Sequence, residues 1–199
     1  HTRYWRDWSS DVCSSDLLAL LLELDVGLEQ ACEVLSQCHA PAGRMETLGG
    51  GQMPLVVVDY AHTPDALKKA LTALRMHTTG HLWCVFGCGG ERDAGKRPVM
   101  GAIAAQFADR VVVTDDNPRS ENPDLIRDQV SSGFRTLKPI NIGDRREAIR
   151  SALLLARAGD IIAVLGKGHE QGQEIMGVTY PFCDQDVIRE EAADVFSNA

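Results

Sequence analysis

Four short apolar runs, each bounded by a polar residue, constrain this chain more than any other feature: Leu55–Asp59, His81–Phe86, Arg110–Thr114 and Asp160–Leu165. None alternates between apolar and polar positions, so each reads as a strand buried on both faces, the pattern of a parallel sheet. Between and after them lie stretches with helical spacing at Thr63–Met76, Pro98–Phe107, Pro123–Ser131, Arg145–Ala158 and Asp184–Val195. The first opens on Thr63 as a cap, with Pro64 at the first helical position and Asp65 next. Strands alternating with helices of about ten to fifteen residues imply an α/β fold, a mostly parallel sheet with helices on both faces. Pro139–Ile142 reads as a further short strand and Glu174–Val178 as an edge strand. Upstream, Leu18–Gln37 reads as two short helices broken at Gly27, packed on something outside this sequence, and Ala40–Gly43 as a linker.

Composition removes several function classes. A net charge of −8 gives no basic stripe for nucleic acid or an anionic membrane. No apolar run approaches the roughly 20 residues needed to span a bilayer, and Leu17–Leu22 soon meets Glu23 and Asp25. The 6 cysteines form no CxxC pair, so they read as free thiols of a reducing cytoplasm, not as a zinc site or disulfides. Residues 1–17 hold two of the 3 tryptophans without either structural period, and they read as a non-native leader foreign to the fold.

The chemistry-bearing residues cluster where the expected strands end. Asp116-Asn117-Pro118-Arg119 follows Arg110–Thr114, at the end of the sheet where open α/β folds bind ligands. Pro118 fixes its own φ and biases Asn117 away from helix, so Arg119 is expected in an extended loop. Its planar fork suits bidentate capture of a carboxylate; the plain alternative is an exposed arginine in an ordinary turn. Asp59 is placed to bond a ribose hydroxyl and His62 to donate to a phosphate, against plain turn and helix capping for Asp59 and Thr63. Gly166-Lys167-Gly168-His169-Glu170 combines tight backbone geometry with a carboxylate, although a motif like it is often only a surface loop.

Two decoys sit after His81–Phe86. Gly87-Cys88-Gly89-Gly90 begins like a dinucleotide-binding fingerprint, but the third glycine position is Arg92. Gly90 to Arg97 fits GxxxxGK but ends in Arg97, where a phosphate-binding loop needs Ser or Thr for Mg²⁺. The segment reads instead as a flexible loop that brings backbone close to a ligand and presents Arg92 to a carboxylate.

With Gly43-Arg44-Met45-Glu46 upstream, these segments resemble in order and spacing the C-terminal domain of the Mur ligase family, specifically its diaminopimelate-adding branch. The resemblance runs from about Leu18 to the end. It implies a Rossmann-like domain from 44 to 199, preceded at 18–43 by the tail of a central ATPase domain. It implies a diaminopimelate site made of Arg92, Asp116, Asn117, Pro118, Arg119, Gly166 and Glu170, and places Arg44, Asp59 and His62 beside ATP. The implied reaction adds meso-diaminopimelate to UDP-N-acetylmuramoyl-L-alanyl-D-glutamate in the cytoplasm during peptidoglycan precursor synthesis. ATP and Mg²⁺ would be held mainly by the central domain, and no residue here reads as a catalyst of phosphoryl transfer, so this chain alone is expected to be inactive. The rival readings are a lysine-adding ligase of the same family, which would lack the arginine of Asp-Asn-Pro-Arg, a non-catalytic amino-acid-binding module, and a dehydrogenase, disfavoured by Arg92.

Overall fold

The computed structural model describes residues 18–36 and 42–196. The expected leader 1–17, residues 40 and 41 of the expected linker, and residues 37–39 and 197–199 lie outside the described residues. Helix α1 covers residues 18–23 and α2 Leu28–Ser36, with Gly27 between them as expected. Then come β1 (Glu46–Gly49), β2 (Leu55–Asp59), α3 (Pro64–Arg75), β3 (Leu82–Phe86), α4 (Lys96–Phe107), β4 (Arg110–Val113), α5 (Pro123–Ser131), β5 (Ile140–Asn141), α6 (Arg145–Leu155), β6 (Ile161–Leu165), β7 (Gly172–Ile175), β8 (Val178–Pro181) and α7 (Asp184–Phe196).

Strands β1 to β6 form one sheet in the order β1-β2-β6-β3-β4-β5. Every pairing is parallel except that of β1 with β2. Alternate residues of each central strand feed two cores. On one face, Val57, Phe86, Val113 and Leu165 pack with Leu67 and Leu71 of α3, Met100 of α4 and Ile126 of α5. On the other, Val58, Val85, Val112 and Val164 pack with Ile149 and Leu153 of α6 and Ile188 of α7. This is the expected fold, and it explains the unbroken apolar runs, because each strand has a helix layer on both sides.

The helices begin where side chains satisfy their first amide groups. Thr63 Oγ1 accepts from Ala66 N, with Pro64 in the first turn, and Asn122 Oδ1 accepts from Asp124 N, with Pro123 following. Asp144 Oδ1 accepts from Glu147 N at the start of α6. Such caps each contribute about 1 kcal/mol. Three expectations are corrected. α4 starts at Lys96, ahead of Pro98, and α6 ends at Leu155, ahead of Ala158. The edge strand expected at Glu174–Val178 is a separate antiparallel hairpin, β7–β8, turning at Met176 and Gly177. Both turn residues have positive φ, 49° and 76°, the geometry of a two-residue hairpin loop.

One ion pair ties α6 to the start of α7. The Arg145 guanidinium, fully buried, donates Nε to Asp184 Oδ1 at 2.7 Å and Nη2 to Asp184 Oδ2 at 2.8 Å, and Nη2 also reaches the Leu165 carbonyl. Removing one member leaves the other charge buried without its counter-ion, a loss of about 3–5 kcal/mol. Asp184→Ala is therefore expected to lower folding stability by about that amount, read from the urea midpoint. A loss below ~1 kcal/mol, the range of surface pairs, would show that the pair does not hold the two helices.

Candidate functional site

Parallel register sets the position of the site. Asp59, Leu165, Phe86 and Val113 lie in one row across β2, β6, β3 and β4. The segments that leave these strands therefore emerge side by side: Tyr60–Thr63, Gly166–Glu170, Gly87–Gly95 and Thr114–Ser120. The face over which the chain returns switches around β6, since α4 after β3 covers one face and α7 after β6 the other. Loops that diverge in this way leave a crevice, the usual ligand position in open α/β sheets.

The loops after β3 and β4 lie back to back. Gly90 N donates to Asn117 O, and a Cβ on Gly90 would sit 2.0 Å from Pro118 O, so no larger residue fits there. Arg119 is not extended as expected; its φ is +52°, in the left-handed region. A non-glycine residue holds that conformation only when its surroundings fix it. Here Arg119 N donates to Glu174 O, Met176 N donates to Arg119 O, and Arg119 Nη1 donates to Gly90 O at 2.7 Å. Arg119 Nε also lies 3.2 Å from Glu174 Oε2. The β7–β8 hairpin thus anchors the arginine, and Gln173 Nε2 adds a bond to Asp116 O.

Arg92, on the glycine loop, is exposed. A Cβ on Gly89 would lie 3.0 Å from Arg119 Nη1 and 3.8 Å from Arg92 Cγ, so the Arg119 guanidinium and the base of the Arg92 side chain both approach this glycine. Behind the loop, Arg97 is buried in α4. It bonds both oxygens of Glu121, Oε1 of Gln129 and the Gly89 carbonyl. The segment that fits GxxxxGK is therefore a helix start pinned by a buried arginine, not a phosphate cradle.

Under the same crevice, Lys167 is fully buried and donates to Asn117 Oδ1 at 3.0 Å and Glu170 Oε2 at 2.9 Å. Asn117 Nδ2 donates to the same Glu170 oxygen at 2.9 Å. Burial works to raise the Glu170 carboxyl, but the bonds from Lys167 and Asn117, with the charges of Lys167 and Arg145, hold it below its usual range. Gly166, at φ +115°, faces Asp116: a Cβ there would lie 2.8 Å from Asp116 Oδ2. Asp116, Asn117 and Pro118 are all buried.

At the β2 end, the Asp59 carboxylate accepts from Met45 N at 3.0 Å and Ala61 N at 2.9 Å. Burial raises its pKa against those two bonds and the nearby charge of Arg44. Asp59 thus performs the turn-fixing role that was the plain alternative, holding residue 45 to the end of β2. Arg44 and His62 are exposed, with His62 Nδ1 on the Tyr60 carbonyl and the His62 carbonyl accepting from Lys96 Nζ. No group of three or more His, Cys, Asp or Glu among the described residues is arranged to hold a metal ion.

The structure therefore brings Arg92, Asp116, Asn117, Pro118, Arg119, Gly166 and Glu170 to one crevice, with Arg44, Asp59 and His62 further along the same edge. Sequence reasoning missed Lys167, Arg97 and Glu174, the residues that hold this set in place. The one available signal was Lys167 itself, set between two glycines directly after an apolar strand.

A model of the Mur ligase glutamate ligase domain matches residues 43–168. A UDP-N-acetylmuramoyl-L-alanyl-D-glutamate--2,6-diaminopimelate ligase of Ectopseudomonas mendocina is 53% identical over 174 residues, 85% of this chain and 36% of that protein. The enzyme of the same description from Coxiella burnetii is 48% identical, again covering 85% of this chain and 36% of its own length. A solved structure of such a ligase superposes with a TM-score of 0.74 at 40% identity, over 89% of this chain and 37% of that one. UDP-N-acetylmuramate-alanine ligase of Thermotoga maritima shares the fold, with a TM-score of 0.63 at 19% identity, over 92% of this chain and 36% of that one. The chain spans little more than a third of the length of these relatives.

Cys88 lies inside the glycine loop, yet it is 3% exposed with its Sγ 3.7 Å from Met100 Sδ, and burial pushes its thiol up to about 12. It is not poised as a nucleophile, because the thiolate is the reactive form. Iodoacetamide at about pH 8, near the ordinary thiol pKa, is expected to alkylate exposed Cys32 and to spare Cys84 and Cys88 in the folded protein. Alkylation of Cys88 as fast as Cys32, followed by peptide mass mapping, would overturn this.

Proposed function

The chain belongs to the Mur ligase family, and on that footing we propose that it is the C-terminal part of an ATP-dependent ligase joining meso-diaminopimelate to UDP-N-acetylmuramoyl-L-alanyl-D-glutamate. One observation carries this reading: Arg119 Nη1 and the Arg92 side chain both approach Gly89, while the Glu170 carboxylate is held by Asn117 of the adjoining loop. Two guanidinium forks and a carboxylate complement the two carboxylates and the distal ammonium of a diamino diacid. Asp116, Asn117, Pro118 and Gly166 shape the wall between them.

Residues 18–43 are assigned in this reading to the tail of the preceding ATPase domain and residues 44–199 to the amino-acid-binding domain, with 1–17 as a leader foreign to both. The exposed Leu20, Leu22, Leu24, Leu28 and Val34 support the first assignment, since five large apolar side chains left to solvent on two short helices suit a segment that another body covers. No described helix is long and apolar enough to cross a membrane. The cytoplasm is the compartment that fits, because ATP and nucleotide-linked precursors are available there and free thiols persist.

Arg44 and His62, exposed beside the Asp59 turn, fit the flank of a nucleotide and not its cradle. They would meet phosphate or ribose from one side, while Mg²⁺ and most phosphate contacts belong to another domain. Bound ATP supplies the phosphoryl group that activates the D-glutamate carboxylate. The crevice residues hold the amino acid by its distal end and so present its reacting amine in a fixed direction, which lowers the entropy cost of attack. Closure of this domain on its neighbour would exclude water from the activated carboxylate.

Lysine differs from diaminopimelate by one distal carboxylate, so selection between them must come from a group that rewards it. Removing a buried partner of a charge pair costs ~2–5 kcal/mol. In the ligase containing this chain, Arg119→Ala is thus expected to raise the diaminopimelate KM by roughly 30-fold or more, with the ATP KM nearly unchanged. Arg119→Lys should recover little, because an ammonium does not reproduce the planar fork. Steady-state kinetics with both amino acids test this. If Arg119→Ala keeps its preference for diaminopimelate, Arg119 is not the selector; if the unmodified enzyme prefers lysine, the substrate reading falls.

A further inference from the structure

Lys167 makes no use of its charge on the surface. Its side chain is fully buried, and both of its bonds go to residues of the crevice, Asn117 Oδ1 at 3.0 Å and Glu170 Oε2 at 2.9 Å. A lysine ammonium only donates, so the carboxamide of Asn117 must turn its oxygen toward Lys167. The backbone amide of Glu174, donating to the same Oδ1 at 3.0 Å, imposes the same orientation from the hairpin. Asn117 Nδ2 is thereby aimed at Glu170, and it donates to Oε2. Two donors thus converge on one oxygen of Glu170. Neither donor bonds the other oxygen, which belongs to a side chain 31% exposed.

We propose that Lys167 is the positioning residue of the ammonium subsite: it locks Asn117 and one oxygen of Glu170 so that the other oxygen is presented to the distal ammonium of the amino acid. This rests on the substrate reading above. The arrangement serves two ends. It removes the rotational freedom that Glu170 would otherwise lose on binding. It also keeps the carboxylate ionised, since burial alone would push Glu170 up. The charged groups facing Glu170 are Lys167 from its own turn and Arg145 from α6, with Asp116 beside Arg145. Arg145 is already committed to Asp184, so Lys167 is the cation in direct contact.

The test is steady-state kinetics of the full ligase containing this chain, with Lys167→Met, Lys167→Gln, Glu170→Gln and the double variant Lys167→Met/Glu170→Gln. Lys167→Met is expected to raise the diaminopimelate KM about tenfold or more, ~1.4 kcal/mol, with the ATP KM unchanged. Its pH profile should change as well. Glu170 is held low in the folded protein, so without Lys167 burial wins and the acid limb of the diaminopimelate KM moves to higher pH. Lys167→Gln restores a donor to Asn117 without charge, so it should recover part of the KM but not the acid limb. On a Glu170→Gln background, Lys167→Met should add less than about twofold, because coupled residues are non-additive. The proposal is overturned if the effects are fully additive, if the ATP and amino-acid KM values rise together, if the acid limb stays in place, or if both Lys167 variants fail to fold. Wild-type turnover with lysine in place of diaminopimelate refutes the preceding substrate reading instead, and the same comparison is then made on the KM of lysine.

Discussion

The insertion of β6 between β2 and β3 is the constraint on which the rest of this domain depends. Parallel pairing on both sides of β6 aligns Asp59, Leu165, Phe86 and Val113 in one row. The chain must then leave each strand at the same edge, and helices must carry it back over one face or the other. Because α4 and α7 return on opposite faces, the loops after β3 and β6 part. A crevice there follows from topology before any side chain is chosen. Sequence then decides what the crevice binds, through the residues set one to six positions beyond the ends of the strands.

Those loops are long enough to be mobile, and buried cations prevent it. Arg97, Arg145 and Lys167 are among the largest fully buried side chains. Each joins segments distant in sequence: Arg97 the glycine loop to Glu121, Arg145 the N-terminus of α6 to Asp184, and Lys167 the end of β6 to Asn117. Buried ion pairs are poor sources of net stability, because desolvation offsets their attraction. Their use here is geometric. A loop held by a directional bond to a buried charge has few alternative positions, and a preorganised site loses less entropy on binding.

The fold was legible because its signals are local and redundant. The unbroken apolar runs had only one consistent burial, and Thr63 announces its helix by a cap; the caps at Asn122 and Asp144 emerge only in the structure. Glu46–Gly49 gave no such signal: as an antiparallel edge it needs only one covered face, and its burial alternates. The hairpin was read as one strand because Met176-Gly177 lacks the Asn-Gly or Asp-Gly pattern that marks a type I′ turn, although Met176 adopts the positive φ. At the site, residue identities were legible and conformations were not. Pro118 suggested an extended Arg119, but the hairpin contacts at Glu174 and Met176 overrode that local preference. The burial of Lys167 depends on contacts some fifty positions away, which no local pattern records.

Arg119 shows how the two levels combine. A guanidinium has five donors in a plane, and two edges along which a carboxylate can take two parallel bonds: Nε with one Nη, and Nη1 with Nη2. Here Nε lies 3.2 Å from Glu174 Oε2 as an ion pair, and Nη1 places one hydrogen on the Gly90 carbonyl at 2.7 Å. The edge between Nη1 and Nη2 lies away from Nε, and such an edge can give a ligand carboxylate two parallel bonds. Glu174 therefore does not block the arginine; it orients it, fixing one side so that the opposite end is offered to the crevice. A lysine at this position would make a single point contact, rotate about its own axis, and lose both the Glu174 anchor and the second ligand bond. In the proposed reading, discrimination rests on the planarity of one side chain, held by a hairpin that the strand pattern alone did not reveal.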